Sequence, residues 1–465
     1  MSPFVTGDTI CALSTPPGMG AIAVIRVSGP EAFAVCQSVF HAAGKKFSFQ
    51  RAASHTIHRG TIGSGESMLD EVLVSIFRNP HSYTGEDVVE ISCHGSVYIQ
   101  QKILELLMAK GLRMASPGEF TFRAFLNGKM DLSEAEAVAD LIASHSYTSH
   151  DLALKQLRGG FSSKIKELRE KFVSLTALLE LELDFSEEDV EFADRKELLK
   201  LLLEIKAETE LLIKSFSIGN VIRNGVPVAI IGKPNVGKST LLNAILNEEK
   251  AIVSEIPGTT RDMIEDTIVI GGYSFRFIDT AGLREARGKI EALGIEKTRE
   301  KIDESVIILY VFDATTDSSE EVLEAVKESG SLADLGTKKL ILIGNKTDKL
   351  KRLPAGFKDF VEQETLFVSA KRKENIHLIS ESLLRTVSEL GITGTTVISS
   401  VRHLEALRNT LAAVDAIQQG LDSGISTDLL TTEIRKALYH LGEITGEITT
   451  DEILSTIFSR FCIGK

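Results

Sequence analysis

The segment Gly232–Ser239 constrains the fold of this chain more than any other stretch of its sequence. It reads G-K-P-N-V-G-K-S and fits the pattern G-x-x-x-x-G-K-[ST]. The apolar run Val226–Ile231 before it predicts a strand, and the residues after it predict a helix. A glycine-rich turn between a strand and a helix presents backbone N–H groups to negatively charged phosphates. The segment therefore predicts a parallel α/β domain that binds a nucleoside phosphate.

Three side chains of this loop have predicted roles. Lys238 would neutralise the β- and γ-phosphates of the nucleotide, and Ser239 would ligate Mg²⁺. Asn235 places an amide oxygen beside the phosphates, which makes it a candidate ligand for a monovalent cation that replaces an arginine finger. The other predicted nucleotide contacts in this region are Val236, Gly237 and Thr240.

A second motif, N-K-T-D, predicts which base is bound. It follows the predicted strand Leu340–Ile343. The carboxylate of Asp348 would accept two hydrogen bonds from guanine N1–H and its exocyclic amine, whereas adenine would leave that carboxylate unpaired. A third segment after the last predicted strand would contact the base through its backbone. The predicted contacts are Asn345, Lys346, Thr347 and Asp348, then Ser369, Ala370 and Lys371.

Two further segments predict the Mg²⁺ and γ-phosphate contacts. The sequence D-T-A-G follows the predicted strand Phe275–Ile278; its aspartate would hold the Mg²⁺ shell through water, and its glycine N–H would sense the γ-phosphate. An earlier G-T-T segment supplies a threonine to the Mg²⁺ shell, and we choose Thr260 over Thr259. The predicted contacts here are Gly258, Thr259, Thr260, Asp279, Thr280, Ala281 and Gly282.

The residue after this D-T-A-G segment is Leu283, where Ras-like proteins place the glutamine that orients the attacking water. Leucine has no polar atom for that task, so another residue must position the water. Glu291 is the candidate catalytic residue, and a glutamate on the surface of a helix is the equally open alternative.

The rest of the chain predicts two other architectures. From Asp8 to Lys129, short apolar runs such as Ala21–Val27 and Val72–Phe77 predict strands, and Val97–Met108 predicts a helix. This part predicts a compact mixed α/β domain. The next part is helical, because six apolar residues recur at intervals of three and four and share one helical face. They are Phe161, Ile165, Leu168, Phe172, Leu175 and Leu179.

The helical pattern is split by the nucleotide-binding part. Ser133 and Glu136 match a capping box before the first helical run, and Val401–Ile417 and Ile434–Leu441 predict helices near the C-terminus. We therefore predict a multidomain chain of the α/β and all-α classes. It comprises an N-terminal α+β domain (1–129), a helical bundle in two parts (130–223 and 391–465), and an inserted, Ras-like, doubly wound P-loop G domain (224–390).

Composition restricts the environment and partners. The net charge of −13 makes the chain a poor candidate for wrapping a long nucleic acid non-specifically, but a compact RNA could bind a local basic patch. Four scattered cysteines and an N-terminus without a targeting pattern predict a cytoplasmic protein with reduced thiols. No apolar run approaches the roughly 20 residues needed to span a bilayer, so we expect no membrane association.

Seven sequence segments together carry a family resemblance that covers the whole chain. They are T-P-P-G-x-G at Thr15–Gly20, Y-T-G-E-D at Tyr83–Asp87, P-G-E-F at Pro117–Phe120, R-A-F-L-N-G-K at Arg123–Lys129, D-T-A-G-L-R at Asp279–Arg284, E-I-T-G-E at Glu443–Glu447 and F-C-I-G-K at Phe461–Lys465. In these segments and in the inserted G domain, the chain resembles the tRNA-modification GTPase family MnmE, also called TrmE.

The resemblance implies a function. A homodimer with a folate-binding, dimerising N-terminal domain would form a heterotetramer with MnmG and act on tRNA. Together they would add a (carboxymethyl)aminomethyl group to carbon 5 of the wobble uridine, position 34, using GTP, Mg²⁺, K⁺ and a 5-formyl-tetrahydrofolate-like one-carbon donor. The folate positions of the family match Arg26, Glu90, Lys129 and Lys465.

The resemblance also assigns residues of the G domain and the C-terminus. The potassium ligands that support G-domain dimerisation match Asn235, Ser254, Ile256 and Thr259, and Glu255 and Pro257 complete the expected nucleotide-contacting loop. Glu291 matches the family's water-orienting glutamate. Cys462 matches a terminal cysteine with a candidate role in modification chemistry; a simple tail thiol is the alternative.

Two other functions remain open at the level of sequence. One is a regulatory GTPase switch, such as a ribosome-assembly factor, without modification chemistry. The other is a folate-binding scaffold that uses its G domain only to oligomerise. The terminal F-C-I-G-K segment and the folate-site matches favour the modification enzyme, and the intact Lys238, Asp279 and Asp348 disfavour a scaffold.

We expect GTP turnover to depend on Glu291 and on potassium. Glu291→Ala should slow hydrolysis about 10²–10⁴-fold without changing nucleotide affinity, because the attacking water loses its orienting carboxylate. Wild-type turnover should be faster in KCl than in NaCl at equal ionic strength. Steady-state phosphate release checks both expectations, with Glu296→Ala as the nearby control. Unchanged turnover of Glu291→Ala would refute its role, and equal rates in both salts would remove the case for Asn235 as a cation ligand.

Overall fold

The computed structural model describes most of the chain. The described residues are 7–44, 47–64, 67–186, 195–248, 266–278, 302–328, 338–352, 354, 356–357, 364–389, 397–423, 427–459 and 461–465. The chain divides into two compact units. The first comprises Met1–Ile142, Lys155–Ala207 and Ala406–Lys465, and the second comprises Ala143–Leu154 and Glu208–Glu405.

The N-terminal part of the first unit is built on a mixed seven-stranded sheet in the order β3-β4-β5-β6-β2-β1-β7. All neighbouring strands pair antiparallel except β1 and β7, which are parallel. The strands are β1 (Ile10–Leu13), β2 (Ile22–Ser28), β3 (Phe40–Ala42), β4 (Thr56–Ser64), β5 (Ser67–Phe77), β6 (Val88–His94) and β7 (Arg113–Met114). The predicted mixed α/β domain and its named strands are confirmed.

The two faces of this sheet differ in burial. One face packs against α1 (Ala32–Val39) and α2 (Val97–Ala109), and its inward residues, such as Ile25, Val74 and Ile91, are almost fully buried. The opposite face of the central strands carries apolar side chains that remain exposed. Ile22 and Ile57 are each 67% exposed and Leu73 is 47% exposed.

Helices form the rest of the first unit and connect it along the chain to the second. They are α3 (Glu119–Leu126), α4 (Leu132–Ala143), α5 (Tyr147–Leu157), α6 (Gly160–Ser186) and α7 (Arg195–Asn224), then, closer to the C-terminus, α11 (Val401–Asp422), α12 (Thr427–Thr445) and α13 (Asp451–Phe458). The predicted apolar face of α6 is confirmed, since all six of its named residues are at most 1% exposed.

The predicted capping box of α4 was wrong by two residues. The N–H of Asp131 donates to Glu134 Oε2 at 2.8 Å, and the N–H of Glu134 donates to Asp131 Oδ1 at 2.9 Å. Aspartate caps a helix as well as serine does, so both patterns compete in the sequence D-L-S-E-A-E. The reciprocal pair starts α4 at Leu132 and leaves Ser133 inside the helix, where it is buried.

The last helix of the chain packs against the end of the N-terminal domain. Phe458 on α13 is fully buried in an apolar cluster with Phe122 of α3 and Leu132 of α4. Thr450 accepts a hydrogen bond from the N–H of Ile453 and caps α13. The first and last segments of the chain therefore share one core.

The second unit contains a six-stranded sheet in the order β13-β12-β11-β8-β10-β9. Its strands are β8 (Val226–Ile231), β9 (Asp266–Ile270), β10 (Tyr273–Phe277), β11 (Ile307–Asp313), β12 (Lys339–Asn345) and β13 (Glu364–Phe367), and the helices of its sheet domain are α8 (Lys238–Glu248), α9 (Ser319–Glu328) and α10 (His377–Glu389). The sequence analysis missed β9, which forms an antiparallel hairpin with β10; every other neighbouring pair is parallel.

Alternation along β8 explains the doubly wound arrangement. Val226, Val228 and Ile230 point into a core with α8 and α10, whereas Ala229 and Ile231 point into a second core with α9. A strand buried on both faces is apolar at every position, as the run V-P-V-A-I-I is. The predicted fold class is confirmed, while the four-part domain division remains a prediction. No helix among the described residues is long and apolar enough to cross a bilayer.

We expect Phe458→Ala to destabilise the first unit by about 3–5 kcal/mol, because the lost ring leaves a cavity in a closed core. Urea unfolding monitored by far-UV circular dichroism measures the change. Val173→Ala on α6 is the control, since Val173 is 56% exposed and should shift the midpoint little. A Phe458→Ala transition that coincides with wild type would contradict the inferred shared core.

Candidate functional site

The phosphate loop lies between β8 and α8, as predicted. Gly237 has φ of +101°, and a Cβ there would collide with Asn345 Nδ2, so the loop requires glycine at this position. Lys238 Nζ donates to the carbonyls of Gly232 at 2.7 Å and Lys233 at 2.8 Å, which holds the ammonium across the loop. The loop has the form that binds phosphates at a helix N-terminus.

The side chain of Asn345 joins three loops of the predicted site. Its Nδ2 donates to the carbonyl of Val236 at 2.8 Å, and its Oδ1 accepts the N–H of Ala370 at 3.0 Å. Asn345 is only 3% exposed, so neither bond competes with water. One buried amide thereby fixes the phosphate loop relative to both predicted base-contacting segments.

Lys346 adds a second connection, and it involves an aspartate that the sequence analysis missed. Lys346 Nζ donates to the carbonyl of Asn235 at 2.8 Å and pairs with Asp313 Oδ2 at 2.6 Å. Asp317 accepts the N–H of Asp313 and pairs with Lys233 at 3.2 Å. The position of Asp313 at the carboxyl end of β11 was the available sequence signal, because ligands of open α/β sheets bind at that edge.

Asp348 is oriented by Ser369. Its Oδ1 accepts the Ser369 hydroxyl at 2.8 Å, and the same hydroxyl oxygen accepts the N–H of Arg372 at 3.2 Å. The bond from Ser369 holds the pKa of Asp348 below its ordinary value, and the charges of Arg372 and Lys371 act in the same direction. The carboxylate is therefore ionised at neutral pH, which is the form that the predicted guanine contact requires.

Several predicted residues lie outside the described part of the chain. They are Ser254, Glu255, Ile256, Pro257, Gly258, Thr259, Thr260, Asp279, Thr280, Ala281, Gly282 and Glu291. Ser239 and Thr240 lie in the first turn of α8. The hydroxyl of Ser239 fits Mg²⁺, which prefers oxygen ligands shared with substrate phosphates.

A second candidate site lies on the N-terminal sheet. Arg26 on β2 and Glu90 on β6 are directly opposite each other, and the Nε and Oε1 atoms are 3.0 Å apart. The guanidinium carbon of Arg26 lies 5.1 Å from the centre of the Tyr83 ring and 5.6 Å from that of Phe120. Arg26 is thus fixed between two rings and a carboxylate, with its side chain only 13% exposed.

The C-terminal residues complete this second site. The carbonyl of Gly464 accepts from Ser14 Oγ at 3.2 Å and from Arg26 Nη1 at 3.5 Å. Gly464 has φ of +99°, and a Cβ there would collide with the backbone of Leu13, so the tail passes against β1 only as glycine. Burial, followed by the charge of Arg26, lowers the pKa of Lys465. The structure therefore brings Arg26, Glu90 and Lys465 together.

Lys129 lies near Tyr83, and Cys462 lies in the terminal segment. Lys129 is exposed and donates to the carbonyl of Pro80 at 3.0 Å. It lines a surface pocket with Tyr83 and His81. Cys462 is exposed, and its carbonyl accepts the N–H of Lys465 at 3.3 Å. Tyr83 is thus near both Arg26 and Lys129, two of the predicted folate residues.

A buried ion cluster supports this ring, and the sequence analysis did not predict it. Arg123 is 3% exposed and pairs with Asp8 at 2.6 Å, Glu119 at 3.1 Å and Glu86 at 3.2 Å. Glu119 itself is fully buried. Since buried charges require partners, this cluster fixes the loop that contains Tyr83.

Comparison with known proteins covers both sites. A family model described as the MnmE helical domain matches residues 132–462, and one described as the GTP-binding protein TrmE N-terminus matches residues 9–129. The "tRNA modification GTPase MnmE" of Cytophaga hutchinsonii is 51% identical over 460 residues, which are 98% of each chain. The chain belongs to the MnmE family. The predicted resemblance is confirmed.

Other relatives agree with this assignment. Proteins of the same printed name are 52% identical over 472 residues in Bacteroides fragilis and 51% identical over 464 residues in Flavobacterium psychrophilum, each covering 98% of this chain and 99% of the relative. The solved G domain of the T. maritima FeoB iron transporter covers 36% of this chain and 98% of its own at 24% identity. The TM-score of this match is 0.25.

We expect Asp348→Asn to weaken GTP binding by about 100-fold and to strengthen xanthosine triphosphate binding. The amide presents a donor where guanine also presents one, and the variant loses a hydrogen bond between guanine and a charged acceptor. Competition against a fluorescent guanine nucleotide measures both affinities. Glu374→Gln is the matched control, since Glu374 lies on a neighbouring loop and is 53% exposed. Unchanged GTP affinity of Asp348→Asn would sink the assignment of the base contact.

Proposed function

We propose that this protein is a GTPase that modifies the wobble uridine of certain tRNAs. With MnmG in a heterotetramer, it adds a (carboxymethyl)aminomethyl group to carbon 5 of the uridine at position 34, using a tetrahydrofolate one-carbon donor. The observation that carries the proposal is the coexistence, in one chain of this family, of the Asn345-centred nucleotide site and the Arg26–Glu90–Lys465 site.

The chemistry of the G domain follows from its predicted ligands. Mg²⁺ bound with the nucleotide supplies charge neutralisation at the phosphates. Lys238 holds the β- and γ-phosphates, Ser239 and Thr260 provide oxygen ligands, and Asp279 orders the water shell. Asp348 selects guanine, and Glu291 orients the attacking water.

Potassium-dependent dimerisation of the G domains is the proposed step that drives the cycle. The ligands are Asn235, Ser254, Ile256 and Thr259. Asn235 has φ of +62°, and its carbonyl accepts a hydrogen bond from Lys346, so the residue is held in place within the phosphate loop. A cation fixed there would stabilise the negative charge that develops during hydrolysis.

The folate ligand, 5-formyl-tetrahydrofolate or a related derivative, is proposed to bind at Arg26, Glu90, Lys129 and Lys465. The Arg26–Glu90 pair offers donors and an acceptor side by side for a pterin ring, and the exposed Lys129 offers a cation for the anionic glutamyl tail. The proximity of Lys465 and Cys462 supports a role for the C-terminal segment at the same site.

The homodimer is proposed to form through the uncovered face of the N-terminal sheet. Ile22, Ile57 and Leu73 expose apolar surface there, and such a face is stabilised when a second copy covers it.

The described cysteines are free, with Cys11, Cys36 and Cys93 buried, which supports the proposed cytoplasmic location. The four-part division at residues 129, 223 and 390 is retained as the proposed domain organisation.

Nucleoside analysis of tRNA from cells lacking this protein tests the function. We expect the wobble modification to disappear and to return on complementation with wild type. Arg26→Gln should fail to restore it and should lose 5-formyl-tetrahydrofolate binding in calorimetry, because the guanidinium is the centre of the folate site. Arg51→Gln, at an exposed arginine on the same domain, is the control. Unchanged tRNA nucleosides in the deletion strain would refute the proposal.

A further inference from the structure

Two adjacent loops of the second unit carry an unusual concentration of basic side chains. The loops are residues 346–352, after β12, and residues 369–376, after β13. Seven of these fifteen residues are lysine or arginine, and two are acidic, whereas the whole chain has 52 basic residues in 465 and a net charge of −13. Leaving aside Lys346, which is paired with Asp313, the remaining six form what we call the basic rim. They are Lys349, Lys351, Arg352, Lys371, Arg372 and Lys373.

The basic rim is directed to solvent. All six residues are exposed. Within the part of the chain that the structure describes, the ion pair recorded for them is a loose one, between Arg372 and Glu374 at 3.8 Å with Arg372 61% exposed. The rim therefore presents positive charge that close ion pairs with the described residues do not neutralise.

The fold brings the two halves of the rim together. β12 and β13 are parallel neighbours, so their carboxyl ends meet at one edge of the sheet. The N–H of Thr347 donates to the carbonyl of Val368 at 3.3 Å, and Ser369 joins Asp348 to the backbone of Arg372. Lys373 has φ of +58° in a turn closed by the reciprocal Ser369–Glu374 backbone bonds. The loops are ordered, so the charges share one fixed surface.

This arrangement fits a polyphosphate backbone better than a protein partner. A stable protein interface has an apolar or aromatic centre, and no large apolar side chain is exposed among the described residues of these two loops. Contact with nucleic-acid phosphates needs clustered lysine and arginine side chains and carries no base specificity. Because the rest of the chain is acidic, the rim also determines which surface a polyanion approaches.

We propose that the basic rim binds the phosphate backbone of the tRNA substrate. This inference rests on the proposed function for the identity of the RNA. It assigns to the G domain, beside the guanine pocket, a direct contact with tRNA that is separate from the folate and uridine chemistry of the first unit.

Binding of full-length protein to fluorescent tRNA, followed by anisotropy across a salt series, tests the proposal. The triple variant Lys351→Gln, Arg352→Gln, Lys373→Gln should bind tRNA about 10-fold more weakly than wild type. The slope of log affinity against log salt is negative, and its magnitude should decrease by about 2 to 3. The matched control removes three exposed lysines from other helices and helix ends, Lys110→Gln, Lys166→Gln and Lys196→Gln. The charge-conserving variant Lys351→Arg, Arg352→Lys, Lys373→Arg should bind as wild type does. The triple variant leaves Lys371, a predicted nucleotide contact, intact. Its rate of GTP hydrolysis should therefore equal that of wild type, which shows that the variant is folded.

Each other outcome overturns the inference. If the triple variant bound tRNA with the affinity and salt slope of wild type, the proposed role of the basic rim would be refuted. An equal loss of tRNA affinity in the matched control would refute it as well. Intact tRNA binding with lost association to the proposed partner MnmG would identify an acidic protein surface as the ligand instead. Absence of tRNA binding by wild type would overturn the rim together with the tRNA part of the proposed function, which nucleoside analysis tests separately.

Discussion

The contact between the two ends of the chain is the constraint on which the rest of the structure depends. Phe458 is buried against Phe122, and a Cβ at Gly118 would contact the backbone of Phe458. Six residues later, Gly464 passes against β1. The first unit is assembled from Met1–Ile142, Lys155–Ala207 and Ala406–Lys465, so the second unit interrupts it twice along the chain.

The same contact explains why the second candidate site has residues from opposite ends of the sequence. Arg26 and Glu90 pair across neighbouring strands, and the terminal Gly464 and Lys465 follow α13, which packs on α3. The packing of α13 therefore positions the terminal residues of this site. A change that loosens Phe458 should weaken the site without touching a ligand contact.

Within the second unit, buried side chains hold loops that are far apart in sequence. Asn345 connects the phosphate loop to the Ser369–Lys371 segment, and Lys346 connects it to Asp313. Both residues follow β12, so one strand end positions contacts for the phosphates and for the base. The same strand end continues into the basic rim, which brings positive charge to the border of the nucleotide site.

Sequence alone predicted GTP binding and the position of the phosphate loop, since glycine spacing, N-K-T-D and the strand pattern are local and depend on backbone geometry that few residues allow. It also determined the buried face of α6, because periodicity reflects burial directly. It did not determine the antiparallel β9 or the capping residue Asp131, where competing local patterns are close in free energy. Only the tertiary structure decided that Asp313 pairs with Lys346, that Arg123 gathers three carboxylates, and that the two halves of the basic rim meet. Apart from the local pair of Arg123 with Glu119 on one helix, these contacts join residues that are distant in sequence, up to the 115 positions between Asp8 and Arg123. Only packing of the complete chain selects such distant partners.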